Sequence, residues 1–204
     1  MDRRALLAIL RIGFAGLAVA AIITQLLDLA GRGVLDPVNF FSYFTIQSNL
    51  IAVAALLWTV AIPAEQWTRA HDLFRGAATT YITVTFVVFA LLLADTDVDT
   101  AIPWVDRVLH RVIPIVLMAD WLVDPPRVAI GFRASLWWLA YPAAWTAYTL
   151  VRGALVGRYP YPFLDPASGG YGTVLIYCVA ILIGIVVVIV AVTRIGNGMR
   201  ALRS

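Results

Sequence analysis

The sequence predicts an all-α integral membrane protein, a bundle of six transmembrane helices, from its apolar composition, its scarcity of charge and its regularly spaced apolar runs. Of its 204 residues, 62% are hydrophobic and 13% are charged, too few charges to cover a water-soluble domain. Six stretches approach the roughly 20 residues that cross about 30 Å of hydrocarbon. They lie at about residues 5–27, 40–62, 74–94, 104–123, 135–153 and 171–193. Because the connections are short, we expect one transmembrane helical domain over residues 1–204.

The first stretch is predicted to remain in the protein as a span. Arg3 and Arg4 precede an apolar run, as in a secretory signal peptide. The run is longer than a signal-peptide apolar region, and Thr24, Gln25 and Asp28 follow in place of a small-residue cleavage site.

The arginines predict the orientation, because basic residues concentrate on the cytoplasmic side of membrane proteins. Arginine supplies every basic residue except the two histidines, and four arginines lie in the first, third and fifth connections. Nine others lie at the termini and in the second and fourth connections: Arg3, Arg4, Arg69, Arg75, Arg127, Arg133, Arg194, Arg200 and Arg203. Both termini are therefore expected in the cytoplasm. The net charge of +3 then reflects topology, and we expect no nucleic-acid partner.

The second stretch enters the membrane with a polar tract, Ser42-Tyr43-Phe44-Thr45-Ile46-Gln47-Ser48-Asn49. An unpaired polar group in hydrocarbon costs several kcal/mol, roughly 4 to 8 on the water-to-alkane scale, so such a tract is a candidate functional site. On a continuous helix, Ser42, Thr45, Ser48 and Asn49 share one face. That face is predicted to line a cavity.

The fourth stretch carries His110 at a depth similar to that of Thr45, about five residues below the start of its helix. Asp106 precedes the histidine by one turn and can orient its ring. Pro114 has no N–H to bond the carbonyl of residue 110, which predicts a distorted helix there. Because the second and fourth spans run in the same direction, we expect Thr45 and His110 to meet.

Such a pair permits acyl transfer, since a histidine can take the proton of a threonine hydroxyl that attacks an ester. Ser48 or Asn49 would then be expected to donate to the oxyanion. The alternative is structural, because threonine and histidine also form packing bonds between membrane helices.

The remaining polar features predict less. Tyr141 either anchors the fifth span at the interface or lines an acyl tunnel, and Arg152 either snorkels or holds a lipid anion. The loop from Arg152 to Tyr171 is a candidate lid, and His71 is expected to be exposed. Cys178 is expected to be a small buried residue. No metal or other cofactor is predicted, because one membrane histidine with nearby aspartates is a poor zinc site.

Several motifs together resemble a known family. They are residues 41–49, residues 109–114 with Asp120-Trp121, Tyr141-Pro142, Arg152-Gly153 and residues 159–163. Over about residues 38–192 the chain is similar to bacterial multi-pass proteins related to the androgen-induced and androgen-dependent membrane hydrolases of animals.

The resemblance implies a threonine hydrolase of fatty-acid esters of hydroxy fatty acids, with its motif threonine at Thr45 and its motif histidine at His110. It implies a lipid or acyl-ester substrate and a bacterial plasma membrane. Ser42, Tyr141 and Arg152 are then candidate substrate-binding residues. The alternatives are a lipid-binding or small-molecule transport protein without enzymatic activity, and a structural membrane partner; the oligomeric state is left open.

The orientation predicts which side of the membrane the third connection faces. A cysteine introduced as Asp97→Cys should react with a membrane-impermeant thiol reagent added outside the cell, because the connection is poor in arginine. Reaction from the cytoplasmic side alone would reverse the orientation.

Overall fold

The computed structural model describes residues 2–93 and 102–203, and every regular element in these residues is helical. The predicted all-α class is therefore confirmed. The continuous helices, in chain order, are α1 (Arg3–Gly31), α2 (Pro37–Ser42), α3 (Phe44–Ala61), α4 (Arg69–Leu93), α5 (103–123), α6 (132–156) and α7 (Gly170–Ala201).

Four of these helices are candidate membrane spans. Within the described residues, α1, α3, α4 and α7 are long and apolar enough to cross a membrane, and α7 exposes large aliphatic side chains along its length, including Leu175, Ile183 and Val187. The helices α5 and α6 match the other two predicted stretches, but each contains a turn that is not α-helical. That they also cross the membrane stays a prediction. Asp97, the position of the proposed cysteine, lies outside the described residues.

The second predicted stretch is not one helix. Asp36 caps α2 by accepting a hydrogen bond from the N–H of Asn39, and α2 stops at Ser42 because Tyr43 is extended, with φ −67° and ψ 128°. The indole of Trp145 in α6 donates to the freed carbonyl of Ser42 at 2.9 Å. A side chain from another helix thus stabilises the break.

Small residues let α1 and α3 pack closely. Ala18 and Ala21 of α1 and Ala52 of α3 are fully buried in one core cluster. In membrane helices such residues allow close approach, which increases van der Waals contact between the backbones.

Buried ion pairs join α1, α4 and the end of α5. Arg11 donates to Asp120 at 2.7 Å and to Asp124 at 2.6 Å, while Arg75 donates to Asp120 and to the Asp124 carbonyl, both at 2.8 Å. We call these four residues the ion network. Arg75, which the sequence placed in a connection, is a buried residue of α4, 3% exposed. The network marks one end of the bundle, the Asp120 end; Thr45 lies toward the other, the Thr45 end.

Removing one carboxylate should destabilise the bundle. In Asp120→Ala, Arg11 and Arg75 each lose a charged partner while buried, which should lower the free energy of unfolding by about 3–5 kcal/mol. Thermal unfolding of the purified protein in detergent measures the change.

The matched control is Glu65→Ala, which breaks the exposed pair between Arg4 and Glu65. Its unfolding midpoint should be unchanged, because exposed pairs contribute little. Equal midpoints for the two variants would show that the ion network is dispensable.

Candidate active site

Thr45 lies in the first turn of α3 and is buried, 7% exposed. The first N–H groups of a helix have no carbonyl partner in that helix. The N–H of Thr45 instead donates to the phenol oxygen of Tyr161 at 3.3 Å. Because α2 ends at Ser42, Thr45 stands at a helix start and not, as the sequence suggested, about five residues down a continuous helix.

His110 lies in a widened, π-helical turn of α5, Val108–Val112. The N–H of Ile113 donates to the carbonyl of Val108, five residues back, so the distortion predicted from Pro114 takes this form. The imidazole is buried and stacks on the Phe89 ring of α4, with centroids 4.1 Å apart and planes 13° apart. Its orientation is therefore held by a neighbouring helix.

Asp106 determines which nitrogen of His110 carries the proton. A carboxylate only accepts hydrogen bonds, so Nδ1–H of His110 donates to Oδ1 of Asp106 at 2.8 Å. In neutral His110 the lone pair of Nε2 then faces Oγ1 of Thr45 at 3.2 Å. The predicted meeting of Thr45 and His110 is confirmed, and the Thr45 hydroxyl donates to the histidine.

A second threonine–histidine pair at the Asp120 end has the opposite polarity. Thr59 donates its hydroxyl proton to the Ala55 carbonyl at 2.7 Å, so its oxygen accepts from Nε2–H of His71 at 3.1 Å. His71 therefore has no free Nε2 lone pair for the Thr59 proton. The expectation that His71 is exposed is wrong: the residue is fully buried, and Trp58 and Trp67 pack against its ring.

Ser48 and Asn49, the predicted oxyanion donors, bond elsewhere. The Asn49 amide donates to the carbonyls of Thr45 at 2.8 Å and Leu109 at 3.1 Å, linking α3 to α5. The Ser48 hydroxyl contacts the Thr45 carbonyl and the Thr85 hydroxyl. In this geometry both side chains hold α3 in the bundle, and their role as oxyanion donors stays a prediction.

Tyr161 is the residue that the sequence analysis missed at this site. Its phenol oxygen lies 3.3 Å from Oγ1 of Thr45 and 3.3 Å from the Thr45 nitrogen. Since the Thr45 hydroxyl proton is directed to His110, the Tyr161 O–H donates to the Thr45 oxygen. The Tyr-Pro-Tyr-Pro segment predicts an ordered loop, but nothing in the sequence spacing predicts that this loop contacts Thr45.

Two glycines explain how this loop returns to the bundle. Gly157 ends α6 with φ +67°, which favours glycine. A Cβ on Gly153 would lie 2.1 Å from the ring of Tyr159, so the loop packs against the helix only because that side chain is absent. Tyr161 is then buried, with its ring stacked on Phe163 at 5.3 Å.

Two cavities meet at Thr45 and Tyr161. The first, about 430 Å³, lies between α3, α4, α6 and α7 and is lined almost entirely by apolar side chains, among them Val88, Leu150 and Ile181. Cys178 lines it and is half-buried.

The second cavity, about 530 Å³, extends from the other side of Thr45 toward the α1–α2 connection and contains His110. Its lining includes Arg32, Asp36 and Arg158. An ester carbonyl at Thr45 would therefore have an apolar space on one side and a charged space on the other.

The predicted substrate-binding residues are not among those that line either cavity. The Ser42 hydroxyl pairs with that of Tyr148 at 2.9 Å, and Tyr141 donates to the Gln47 side chain. Arg152 donates to Asn39 at 3.4 Å. These contacts hold α6 against α2 and α3, and substrate binding by the three residues stays a prediction.

No group of three His, Cys, Asp or Glu side chains in residues 2–93 and 102–203 is placed to hold a metal ion. Asp120 points into the ion network and is no partner of His110. The site's chemistry therefore consists of a hydroxyl, an imidazole, a carboxylate and a phenol.

Comparisons of the chain with protein-family profiles, with curated proteins and with solved structures found no match. The structure shows an all-helical protein with four candidate membrane spans among its described residues, and it assigns no family.

Proposed function

We propose that this protein is an intramembrane lipid ester hydrolase, a carboxylic ester hydrolase with Thr45 as nucleophile and His110 as general base. The observation that carries the proposal is the direction of the Thr45–His110–Asp106 hydrogen bonds at the meeting point of the two cavities. In this arrangement the Thr45 hydroxyl donates to Nε2 of His110, while Nδ1 of the same ring donates to the Asp106 carboxylate.

In the first step the Thr45 oxygen attacks the ester carbonyl carbon while its proton passes to Nε2 of His110. Asp106 accepts from Nδ1–H and stabilises the resulting imidazolium. His110 then returns the proton to the leaving alcohol, and an acyl ester of Thr45 remains. Water attacks this ester with His110 again as base, which releases the acid and restores the hydroxyl.

Negative charge develops on the carbonyl oxygen during both attacks. The phenol O–H of Tyr161 lies within hydrogen-bond distance of Oγ1 of Thr45. Once Oγ1 is bonded to the carbonyl carbon, this O–H can turn to the oxyanion. The Thr45 N–H and the positive end of the α3 dipole lie on the same side. We assign the Tyr161 O–H as an oxyanion donor, joined by the Thr45 N–H when it exchanges the Tyr161 oxygen for the oxyanion.

The cavities suggest how the substrate lies. The apolar cavity suits the acyl chain. The charged cavity, where Arg32 and Arg158 outnumber Asp36 by one positive charge, suits an alcohol part that carries one negative charge. Fatty-acid esters of hydroxy fatty acids, the substrates implied by the sequence resemblance, have these two parts.

A lipid-binding protein without enzymatic activity is the second candidate function. The apolar cavity favours it, because such a space binds an acyl chain whether or not a bond is broken. Lipid binding alone does not require the Asp106 carboxylate that accepts a hydrogen bond from His110.

The proposed pair should be required for hydrolysis. Thr45→Ala and His110→Ala should each abolish cleavage of a long-chain fatty-acid ester of a hydroxy fatty acid by the purified protein. The double variant should be no slower than either single variant, because residues that act as one unit are not additive. Chromatographic measurement of the released fatty acid is the assay.

The matched control is Thr59→Ala, which removes the threonine of the second pair. It should retain activity, because that hydroxyl donates to a carbonyl and not to His71. Full activity in folded Thr45→Ala would remove Thr45 from the mechanism, and a folded wild type that binds the ester without cleaving it would favour the lipid-binding function.

Tyr161→Phe should slow turnover by about a hundredfold or more, the usual effect of losing one oxyanion donor. The change keeps the ring that stacks on Phe163 and removes only the O–H. Tyr148→Phe, which removes a phenol that pairs with Ser42, is the control and should be active. Similar turnover in the two variants would remove Tyr161 from the mechanism.

A further inference from the structure

The Asp120 end contains a cavity of about 850 Å³ that the proposed hydrolysis does not use. It lies between the start of α1, the α3–α4 connection and the segment after α5. Five arginines line it: Arg3, Arg4, Arg11, Arg127 and Arg203. We call this cavity the arginine vestibule.

The arginine vestibule has an excess of positive charge. The ion network pairs Arg11 with buried aspartates, so that arginine is neutralised at the floor of the cavity. Asp124, which also lines the cavity, offsets Arg11, and the remaining charged groups in the lining are four arginines and Glu65, an excess of three positive charges. An anion is the complementary ligand.

The arginines keep donors for such an anion. Arg3 donates to the Val123 carbonyl and Arg4 to Glu65, each a single bond from a guanidinium that has five donor hydrogens. The Arg127 guanidinium lies 4.7 Å from the ring centroid of Trp67, which fixes its plane at the wall of the cavity.

The rest of the lining points to a lipid. Leu7, Val60, Ile62 and Val123 also line the cavity, and these residues stand near the ends of α1, α3 and α5. A headgroup at such helix ends leaves its acyl chains in the hydrocarbon, beside the apolar wall. The volume is also far larger than an inorganic phosphate ion fills.

We propose that the arginine vestibule binds the phosphate headgroup of an anionic phospholipid from the leaflet at the Asp120 end. Arginines from three separated segments, namely the N-terminus, the α5–α6 connection and the C-terminus, converge on this cavity. Arg69 and Arg133, at the same end of the bundle, are exposed and lie outside its lining. Arginines that only set the orientation of the protein in the membrane need not converge on one cavity.

Native mass spectrometry of the detergent-purified full chain tests the proposal. The wild type should retain phosphatidylglycerol in preference to phosphatidylcholine with the same acyl chains. Each arginine near a lipid headgroup contributes about fivefold in affinity, so Arg4→Gln with Arg203→Gln should bind phosphatidylglycerol about thirtyfold more weakly. Arg203→Gln alone, at an exposed residue, should bind phosphatidylglycerol about fivefold more weakly. This single variant replaces the double variant if the latter misfolds.

The control removes the same charge elsewhere, with Arg69→Gln and Arg133→Gln, and should bind phosphatidylglycerol like the wild type. If the two double variants lost the same affinity for phosphatidylglycerol, diffuse surface charge would explain the binding and the proposal would be overturned. Equal retention of the two lipids would also overturn it. Displacement of phosphatidylglycerol by an equal concentration of inorganic phosphate would identify a free-anion site and not a lipid site.

Discussion

The ion network of Arg11, Arg75, Asp120 and Asp124 sets the register of the helices on which the candidate active site depends. It ties α1 and α4 to the end of α5 through bonds of 2.6 to 2.8 Å. His110 lies ten residues before Asp120 on the same helix, about 15 Å away. Since buried charges tolerate few alternative pairings, a slip of α5 along α4 would leave an unpaired charge. The imidazole is thereby held at the level of Thr45.

Departures from regular α-helix create the site within this frame. The break at Tyr43 places Thr45 in a first turn, where its N–H is free to bond Tyr161. The π-helical turn of α5 accommodates Pro114 and carries His110, and the π-helical turn of α4 supplies the stacked Phe89. At the break the Ser42 carbonyl accepts from Trp145, and in α5 the Leu109 carbonyl accepts from Asn49. Side chains from other helices thus satisfy carbonyls that the irregular turns leave free, as is common in membrane helices.

The two threonine–histidine pairs have opposite hydrogen-bond polarity although their geometry is similar. Both pairs are buried and have similar distances, 3.2 Å and 3.1 Å. They differ in what holds the other atoms: Asp106 takes the Nδ1 proton of His110, whereas the Ala55 carbonyl takes the proton of Thr59. In the first pair the threonine donates to the imidazole, whereas in the second the imidazole donates to the threonine and so cross-links α3 to α4.

The sequence by itself determined the helical class, the membrane-like composition and the pairing of Thr45, His110 and Asp106. The class and the Asp106–His110 contact follow from hydropathy and helical spacing, which are local properties, and the Thr45–His110 contact was predicted from the similar depths of the two residues on spans that run in the same direction. Only the tertiary structure decided that Tyr161 faces Thr45, that Ser48 and Asn49 bond backbone carbonyls, and that His71 is buried. Those outcomes depend on where α2 stops and on how the loop after α6 packs back, and both are set by contacts between residues about a hundred positions apart, such as Ser42 with Trp145 and Thr45 with Tyr161.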